Sequence, residues 1–409
     1  MRGGPCRTSR RSGAILLGVF VLAASSCGGT AKSALATTSP EAATTALTDD
    51  SLSSISCISA SDCQAVGSSG DYRFPLIEHW NGTEWSVTKV AHPLPTSSSS
   101  GSFHGLSCIT ASNCQAVGNY FIGKRIFPLS ERWNGTEWSI VKIPWRTKND
   151  AQLSGIACVS VSDCVAVGHR RFATPLTLIE HWDGRGWSTD VSPNPALDGP
   201  NDGVYLEGVS CVSATDCMAA GYHGAGPKEP LFEHWNGVIW SIVTSPVSAY
   251  TDAQMSGISC TSTGDCYASG DSYADGGVPI SLIEHWDGEA WSIMKSSDVG
   301  SQGSRLGGIS CVSSTSCEAV GSYPLGNISD SDERDYTLFE HWDGLTWSGS
   351  IGPSTPGAQQ SLLDDVSCIS ASDCLAVGTS FISRTESWVT LAAQWSGNHW
   401  YLMKSPSPS

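Results

Sequence analysis

The sequence predicts an all-β fold, a seven-bladed β-propeller with four antiparallel strands in each blade. Two pairs of residues support this prediction, because each recurs seven times at intervals of roughly fifty residues, a period typical of propellers. The first is a cysteine pair: Cys57/Cys63, Cys108/Cys114, Cys158/Cys164, Cys211/Cys217, Cys260/Cys266, Cys311/Cys317 and Cys368/Cys374. The second is a tryptophan pair: Trp80/Trp85, Trp133/Trp138, Trp182/Trp187, Trp235/Trp240, Trp286/Trp291, Trp342/Trp347 and Trp395/Trp400.

Each repeat contains four short segments with the composition of β-strands. In the first repeat these are Ile55–Cys57, Cys63–Gly67, Leu76–Trp80 and Trp85–Val87. Val, Ile and aromatic residues favour strands, and the Asn-Gly or Asp-Gly between the two tryptophans favours a hairpin turn. No segment shows the 3.6-residue periodicity of an amphipathic helix, so a helical repeat is excluded.

The cysteine pair predicts one disulfide in each blade. Two cysteines on either side of a five-residue hairpin connection face each other at about 4.5–5.5 Å between Cα atoms, which suits a disulfide. The alternative, a zinc site, needs four converging ligands, whereas each pair stands alone in its blade. Fourteen of the sixteen cysteines occur in these pairs, and this usage indicates an oxidising compartment.

The tryptophan pair brackets the turn between the third and fourth strands. The two indoles are therefore expected to face each other across that hairpin, where aromatic pairs add to the stabilisation from burial. Fourteen of the sixteen tryptophans occupy these positions. We interpret them as the core between neighbouring blades. The alternative is a ring of platforms for a ligand.

The combination of Cys-x-Ala-Val-Gly with Trp-(Asn/Asp)-Gly-x-x-Trp-Ser resembles the Asp-box (BNR) repeats of sialidase-like propellers. It resembles the photosystem assembly factor type of propeller more closely. The resemblance runs from Ile55 to about Met403 and implies the propeller fold. It carries over no activity, because the arginine triad, the tyrosine–glutamate pair and the acidic residue of sialidases have no matching signature here. Asp183-Gly184 also lacks the residue that an Asp-box has between its Asp and Gly.

Length and charge limit the classes of function. Of the 409 residues, the seven repeats account for about 350, which makes one domain. The formal net charge is −17, and only 15% of the residues are charged. Nucleic-acid binding needs a basic surface, and electrostatic binding to anionic lipid needs basic clusters, so both are excluded as functions.

The residues before the repeats predict export. Residues 1–26 have the pattern of a signal peptide, with four arginines followed by the apolar run Ala14–Ala24, which is too short to span a bilayer. Cys27 stands where a bacterial lipobox places its lipidated cysteine; the alternative is cleavage after Ser26 with Cys27 left free. Residues 27–50 are predicted to form a flexible tether rich in Thr, Ala and Ser. The propeller is predicted at 51–409, with blades at about 51–101, 102–152, 153–204, 205–254, 255–304, 305–361 and 362–409.

Connections between strands sort onto two faces of the predicted ring. The turns within the first and second strand pair and within the third and fourth pair are constant, whereas the other connections vary, as expected of a binding surface. An aromatic residue follows the second strand in every repeat, and arginines occur in the same connections. These residues could bind a ligand, or they could pack against the next blade. The ligand-binding candidates are Tyr72, Tyr120, Arg125, Arg170, Phe172, Tyr222, Tyr273, Tyr323 and Phe381.

Histidine and glutamate also recur, on the third strand. The histidines, at 79, 181, 234, 285 and 341, are interpreted as inter-blade hydrogen-bonding groups, because side chains one blade apart cannot share a metal ion. The preceding glutamates, at 78, 131, 180, 233, 284 and 340, face the other side of the sheet. A general acid–base pair would be a single feature, not a repeated one. No Ser-His-Asp order, P-loop or HExxH motif occurs, so no catalytic residue, metal site or cofactor is predicted.

The function predicted from these features is a non-catalytic binding or scaffold module. It would be a monomer on the extracellular face of a bacterial cell membrane, anchored through Cys27 or otherwise secreted, and its partner would be a protein or a glycan. Two alternatives remain, a sialidase-like glycoside hydrolase or lyase and an assembly factor for an envelope complex. Each repeat is one continuous run with no swapped strand, so the disulfides and the tryptophan packing are expected to hold the ring closed.

Overall fold

The structure is a computed structural model that describes residues 49–408, except 71–73, 92–99, 146–148, 172, 198, 200–201, 247–251, 274–276, 298–302 and 326–333. The predicted signal peptide, Cys27 and nearly all of the tether lie outside the described residues, as do Tyr72 and Phe172. In the part of the chain that is described, no helix is long and apolar enough to cross a membrane.

The described residues form 28 strands in seven units of four, and each unit is called a blade below. The first three blades contain β1 (Ser51–Ser59), β2 (Asp62–Ser69), β3 (Phe74–Trp80), β4 (Trp85–Val87), β5 (Ser100–Thr110), β6 (Asn113–Ile122), β7 (Arg125–Trp133), β8 (Trp138–Ile140), β9 (Asp150–Ser160), β10 (Asp163–Arg171), β11 (Pro175–Trp182) and β12 (Trp187–Thr189).

The other four blades follow the same order. They contain β13 (Val204–Ser213), β14 (Asp216–His223), β15 (Glu229–Trp235), β16 (Trp240–Val243), β17 (Asp252–Ser262), β18 (Asp265–Tyr273), β19 (Pro279–Trp286), β20 (Trp291–Met294), β21 (Arg305–Ser313), β22 (Ser316–Leu325), β23 (Arg334–Trp342), β24 (Trp347–Ile351), β25 (Gln360–Ser370), β26 (Asp373–Ile382), β27 (Ser387–Trp395) and β28 (Trp400–Met403).

Every blade is an antiparallel sheet in which consecutive strands are neighbours, and a single parallel bridge also joins β23 to β25. The all-β class, the four-stranded antiparallel blades and one disulfide in each blade are therefore confirmed. The first strand of each blade is longer than predicted. In the first blade it runs from Ser51 to Ser59, because backbone pairing with β2 continues through serines that have little intrinsic strand preference.

The cysteines of each blade are direct cross-strand partners, as in Cys57 and Cys63. Their Cα atoms are 4.0 Å apart, which is closer than the predicted range. The connection is also tighter than predicted, because only Ala60 and Ser61 form the turn while Ser59 pairs with Asp62. The bulge between Cys57 and Ser59 accommodates the difference in residue count between the two strands.

The predicted Cα separation is wrong in every blade, although all seven predicted pairings are confirmed. The separation is 3.9 or 4.0 Å throughout, because the tight turn draws the two strands together beside each disulfide. The confirmed pairs are Cys57–Cys63, Cys108–Cys114, Cys158–Cys164, Cys211–Cys217, Cys260–Cys266, Cys311–Cys317 and Cys368–Cys374.

The second cysteine of each pair also has a role that the sequence analysis did not predict. The sequence pattern predicts both cysteines only as disulfide partners beside a turn. In the structure the first cysteine is half-buried, whereas the second is at most 3% exposed and belongs to an apolar core cluster between blades. The disulfides therefore join the turn to the core and offer no surface site. The buried members are Cys63, Cys114, Cys164, Cys217, Cys266, Cys317 and Cys374.

The turn between the third and fourth strands depends on both residues of its Asn-Gly or Asp-Gly pair. In the first blade the Asn81 side-chain oxygen accepts hydrogen bonds from the backbone of Thr83 and Glu84, at 2.9 and 3.0 Å. Gly82 has a φ of +91°, and a Cβ there would lie 2.6 Å from the Cβ of Ser61. This position therefore requires glycine both for its backbone conformation and for the contact between the two turns.

The apolar core lies between neighbouring blades, as the tryptophan pattern predicts. Each core cluster combines the second strand of one blade with residues of the next, all but the one between the second and third blades also include the third strand, and the second tryptophan of each pair is buried. Phe232 of the fourth blade stacks on Trp291 of the fifth at 3.8 Å between ring centroids. Phe339 of the sixth blade stacks on Trp400 of the seventh at 4.1 Å.

A serine–cysteine hydrogen bond joins most neighbouring blades. The serine before the first cysteine of one blade accepts a bond from the backbone N–H of the first cysteine of the next blade, as in Ser56 and Cys108 at 3.0 Å. Six junctions among the described residues have this bond, and the third blade has Ala157 instead of the serine. The junction between the last and the first blade is one of the six, through Ser367 and Cys57 at 3.0 Å.

The last and first blades make further contacts that the sequence did not predict. The Asp365 carboxylate accepts hydrogen bonds from the Ser54 hydroxyl at 2.8 Å and from the Ile55 backbone at 2.9 Å. Asp49 forms a parallel bridge with Trp388 of β27. The expectation that disulfides and tryptophans alone hold the two ends together is therefore wrong, although within the described part of the chain, which begins at Asp49, the N-terminal pairing is one bridge and not a swapped strand.

The repeated glutamates form the second inter-blade contact. Five of them accept hydrogen bonds from the residues that follow the last strand of the preceding blade, as in Ser192 to Glu233 at 2.9 Å and Ser405 to Glu78 at 2.7 Å. The first five repeated glutamates have raised pKa values because of burial, and Glu78 and Glu233 reach about 8. These carboxyls were not assigned a role from the sequence.

The repeated histidines pair within their own blade, so the prediction of inter-blade bonding is wrong for them. His79 lies 2.9 Å from Asp62, and the same pairing with the aspartate at the start of the second strand holds for His181, His234 and His285. In the sixth blade this aspartate is replaced by Ser316, and His341 bonds Glu318 instead, at 2.6 Å. The hydrogen bond that His341 donates to the Glu318 carboxylate raises the pKa of His341.

Candidate functional site

The first strand of each blade lines the central axis of the molecule. Because side chains alternate across a strand, every second residue of these strands faces the axis. This produces two layers with one residue from each blade. The upper layer is Ser51, Ser102, Gln152, Tyr205, Gln254, Arg305 and Leu362, and the lower layer is Ser53, His104, Ser154, Glu207, Ser256, Gly307 and Asp364.

A cavity of about 780 Å³ lies on this axis and is lined by residues of all seven blades. Its walls include most of both layers together with Ser68, Tyr222 and Thr379 from the ends of the second strands. The cavity therefore opens toward the connections that vary between repeats, and away from the disulfides. Its volume lies within the range of about 300–1,000 Å³ usual for small-ligand sites.

The lower layer narrows the axial space. A second cavity of about 160 Å³ shares Ser53, His104, Ser154 and Glu207 with the first one, and also Ser256 and Asp364. The glycines that follow the lower layer bring neighbouring backbones close together, and a Cβ on Gly105 would lie 2.9 Å from the Ser154 carbonyl oxygen. The layer is therefore a throat between a wide upper cavity and a small lower one.

Carboxylates dominate the charge of the upper cavity. Its lining includes Asp49, Asp50, Glu207 and Asp364, and it contains no lysine or arginine among the described residues. Burial raises the pKa of Glu207 to about 7, although a hydrogen bond from Ser154 and the positive charge of Lys228 oppose this rise. Burial and the neighbouring Asp365 raise the pKa of Asp364 to about 7.

His104 contributes hydrogen-bonding capacity to the throat. Its Nε2 lies 2.6 Å from Asn119 Oδ1 and 3.0 Å from the Ser102 hydroxyl. Burial lowers the pKa of His104, so the imidazole is neutral at pH 7. The throat therefore contains a neutral imidazole in the second blade, a glutamate in the fourth and an aspartate in the seventh.

An aromatic stack forms one side of the upper cavity. Tyr222 stacks on its cross-strand partner Tyr205 at 4.9 Å, and His169 meets the other side of Tyr205 at 4.8 Å. Lys228 Nζ lies 4.7 Å from the centre of the Tyr222 ring and 2.7 Å from Gln254 Oε1. Burial and the charge of Glu207 raise the pKa of Tyr222, so its hydroxyl remains protonated.

The other aromatic candidates pack against neighbouring strands. Tyr120 stacks on Phe127 at 5.3 Å, and Phe381 contacts Trp388 at 5.1 Å. Tyr323 is buried in an apolar core cluster, and Tyr273 lies under the Arg305 guanidinium at 5.7 Å. Of the described candidates, Tyr222 is the one that lines the axial cavity. Ligand binding by the set as a whole stays a prediction.

The two arginine candidates lie close to acidic residues. Arg125 Nε is 3.8 Å from Asp150 Oδ1 of the next blade, and its guanidinium lies 5.0 Å from the centre of the Phe127 ring. The positive charge of Arg170 lowers the pKa of Glu180 against the larger effect of burial. Neither arginine is part of the lining of the axial cavity. A role for them in ligand binding also stays a prediction.

The axial residues were not predicted from the sequence, although a signal for them was present. The lower layer occupies the position four residues before the first cysteine of each repeat, where the residues are Ser, His, Ser, Glu, Ser, Gly and Asp in turn. A position that varies within an otherwise constant strand is not constrained by packing. The sequence-based prediction of a binding surface rests only on variation in the connections between strands. Among the described residues, no three His, Cys, Asp or Glu side chains are arranged to hold a metal ion.

Comparisons with known proteins bear on the fold. No protein-family model matches the sequence, and no curated protein matches it either. An ulvan lyase of polysaccharide lyase family PL25 is similar in structure, with a TM-score of 0.57 and 11% identity over 84% of this chain and 92% of that chain. At this identity the similarity concerns the fold alone.

Two further structures are similar at lower TM-scores. YCF48 bound to a D1 peptide has a TM-score of 0.48 and 11% identity, over 81% of this chain and 91% of that chain. The six-bladed fucose-binding lectin of Aleuria aurantia has a TM-score of 0.46 and 10% identity, over 75% of this chain and 96% of that chain. Similarities at this level carry no functional argument. The sialidase-type resemblance stays a prediction.

Proposed function

We propose that this chain forms a seven-bladed β-propeller that binds a ligand in its axial cavity, outside the cytoplasm. The observation that carries the proposal is the cavity itself, about 780 Å³ in volume and lined by all seven blades. Sites for small ligands and peptide segments are concave, preformed and supplied with a few convergent polar groups. The cavity meets each of these criteria through its serines, glutamines, carboxylates and the Tyr222 ring.

The scaffold around the cavity supports a binding role. Seven disulfides and the inter-blade hydrogen bonds fix the first strands, so the groups that line the axis are held in position before a ligand arrives. Preorganisation of this kind increases affinity because less conformational freedom is lost on binding. The disulfides also indicate an oxidising, extracytoplasmic environment.

A cavity-filling variant tests this proposal. Ser53 lines both axial cavities, so Ser53→Trp would fill the throat from the first blade. Val238→Trp is the matched control, because Val238 is exposed on a turn at the opposite face. The full chain would be cross-linked in envelope extracts and also tested against glycan and peptide arrays. We expect a partner that is retained by wild type and Val238→Trp and lost by Ser53→Trp.

The same experiment separates the candidate partners. A single envelope protein captured in this manner would favour a scaffold or an assembly role, and a glycan would favour a lectin-like role. A partner that binds Ser53→Trp as well as wild type would refute binding in the axial cavity. A partner lost by Val238→Trp alone would move the binding site to the disulfide-bearing face.

Lipid anchoring through Cys27 is a second part of the proposal. The supporting observation is the sequence around Cys27, which follows an apolar run and precedes a tether of about 23 residues. The test is detergent phase partitioning of the full chain and of Cys27→Ser, with metabolic labelling by a fatty-acid probe. Wild type should enter the detergent phase and incorporate the label, and Cys27→Ser should do neither. Equal partitioning of both proteins would refute the anchor.

An enzymatic role is the second candidate function. The observation that favours it is the presence of Glu207, with a raised pKa near 7, and Tyr222 in one cavity. A carboxyl with a pKa near neutrality can donate and accept a proton at physiological pH. The test is a panel of uronate-containing and sialylated polysaccharides with wild type and Glu207→Gln. Turnover by wild type that Glu207→Gln abolishes would show that the cavity is catalytic and would overturn the non-catalytic role. The absence of turnover on every substrate would rule out the enzymatic role.

A further inference from the structure

The lining of the axial cavity is predominantly acidic, and this determines which ligands the cavity can accept. Four carboxyl side chains line it and no lysine or arginine does so among the described residues, although Arg305 belongs to the upper layer and Lys228 bonds the lining residue Gln254. The remaining walls are mostly hydroxyl and amide groups, which complement either charge. A cavity surrounded by protein focuses the field of its charges and increases the local concentration of oppositely charged ligands. An anionic ligand would be repelled from this cavity.

Asp364 is the carboxylate that is best placed to meet a ligand. It lies in the throat, its side chain is open to the cavity, and it accepts no hydrogen bond from any residue that the structure describes. The neighbouring Asp365 points away to the first blade, where Ser54 and Ile55 donate to it. The other blades have Ser, His, Glu or Gly at the position of Asp364, so this acid is not required by the repeat.

Glu207 faces Asp364 across the axis. The two residues occupy the same layer in the fourth and seventh blades, which are nearly opposite in a circle of seven. Ser154 donates a hydrogen bond to Glu207, and this leaves acceptor capacity on the carboxylate for a second donor. The His104 imidazole in the throat is neutral, and the positive charge that acts on Glu207 is that of Lys228, whose Nζ is bonded to Gln254 Oε1.

We propose that the cavity binds the lysine or arginine side chain of an extended peptide, with its cationic head group in the throat between Asp364 and Glu207. This inference rests on the proposed function and names its ligand class. The upper and lower layers are two residues apart along each strand, about 6.6 Å, which an extended lysine or arginine side chain can span. The head group then reaches the throat while the peptide backbone remains at the upper layer.

The walls of the upper layer favour a peptide over an amino sugar. Gln152, Gln254 and the hydroxyls of Ser51 and Ser102 surround the cavity at the depth where a peptide backbone would lie, and they can pair with its N–H and C=O groups. Sugars bind largely by stacking on aromatic faces. The lining has two aromatic side chains apart from His104, and both rings already have neighbours: Tyr222 has Tyr205 and Lys228 against it, and Trp388 has Phe381.

The test uses fluorescent hexapeptides that differ at one central residue, which is lysine, arginine, norleucine or glutamate. Binding to the full chain is measured by fluorescence anisotropy in low and high salt. We expect the lysine and arginine peptides to bind at least about tenfold more tightly than the norleucine peptide, because a charged hydrogen bond in a protected site contributes this much. The glutamate peptide should not bind, and added salt should weaken binding.

Single carboxyl replacements locate the interaction. Asp364→Asn and Glu207→Gln should each weaken the lysine peptide about tenfold or more, and Glu289→Gln, an exposed carboxyl on a turn of the opposite face, should leave binding unchanged. Thermal unfolding of each variant shows that it is folded. Equal affinity for lysine and norleucine peptides, or unchanged binding by both Asp364→Asn and Glu207→Gln, would overturn the proposal.

Two other outcomes separate this inference from the proposed function. Chitosan oligosaccharides that bind with the same dependence on Asp364 and Glu207, with no binding of the peptides, would overturn the peptide assignment. A partner that depends on Ser53 but ignores all the lysine and arginine peptides would overturn the cationic assignment while the axial binding function stands. Failure of the Ser53→Trp experiment would reject the axial site itself.

Discussion

The buried glutamates between blades predict that the protein is more stable in mildly acidic solution than in alkaline solution. Burial raises the pKa of Glu233 from an ordinary value of 4.5 to about 8, and the hydrogen bond from Ser192 lowers it only in part. The folded state therefore holds a proton that the unfolded state releases between these two values. By linkage, the stabilisation is complete below pH 4.5 and is lost as the pH rises toward 8.

The magnitude follows from the shift. Each pKa unit corresponds to about 1.4 kcal/mol, so one carboxyl moved from 4.5 to about 8 changes the free energy of unfolding by about 3 kcal/mol between pH 5 and pH 8. The glutamates at 78, 131, 180 and 284 shift in the same direction. Their contributions reinforce that of Glu233, since each glutamate lies in a different blade.

Glu233→Gln isolates one of these contributions. Glutamine keeps the size of the side chain and an oxygen that accepts the Ser192 hydroxyl, but it cannot ionise. We expect the variant to be more stable than wild type at pH 8 and close to wild type at pH 5. The assay is the apparent unfolding midpoint of the full chain with its disulfides intact, measured by tryptophan fluorescence from pH 5 to pH 8.

A control and two outcomes make this test decisive. Glu84→Gln removes an exposed carboxyl on a turn and should reproduce the pH dependence of wild type. A wild-type midpoint that rises from pH 5 to pH 8 would refute the sign of the argument. A Glu233→Gln variant with the same pH dependence as wild type would show that the Glu233 carboxyl does not titrate in this range.

Three further predictions concern the scaffold. Asp365→Ala leaves the backbone N–H of Ile55 without its acceptor at the junction of the last and first blades, and should destabilise the protein by about 2 kcal/mol in denaturant unfolding. Gly184→Ala should cost about 1–2 kcal/mol in the same assay, because φ is +86° and Ser162 is 2.7 Å from the new Cβ, whereas Gly186→Ala in the same turn meets no atom and should be near neutral. Replacing Cys211 and Cys217 together by serine should cost about 2 kcal/mol by the loop-entropy relation, and an unchanged midpoint would contradict it.

The repeat made most of the fold predictable, and the reasons are physical. The cysteine and tryptophan pairs are cross-strand partners, so their spacing in sequence fixes which strands pair and in which register. Strand length could not be read in the same way. Ser51 and its neighbours are extended because β2 pairs with them, and a serine-rich segment has no local preference that would reveal this.

The axial site was less predictable because it depends on how the blades are arranged around one another. His104, Glu207 and Asp364 are about a hundred residues or more apart in sequence, and only the circular order of blades brings them to one throat. The acceptor role of the glutamates was hidden for a related reason. Three of their donors, Ser192, Ser245 and Ser405, share a Ser-Pro pair, but the connections around these serines otherwise differ between repeats. The histidine partner was visible, since the aspartate before the second cysteine accompanies the histidine in four blades.

In the first strand of each blade, different residues face the axial cavity and stabilise the fold. In the first blade, Ser53 faces the axis, Ser54 meets the last blade, Ile55 enters the core and Ser56 accepts a bond from the next blade. A change at the axial position therefore alters the wall of the cavity without removing core contacts or inter-blade bonds. This explains how seven nearly identical strands can carry Ser, His, Glu, Gly or Asp at the axis on one constant scaffold. For the same reason, the residues of the lower layer most directly determine which ligand the cavity can bind.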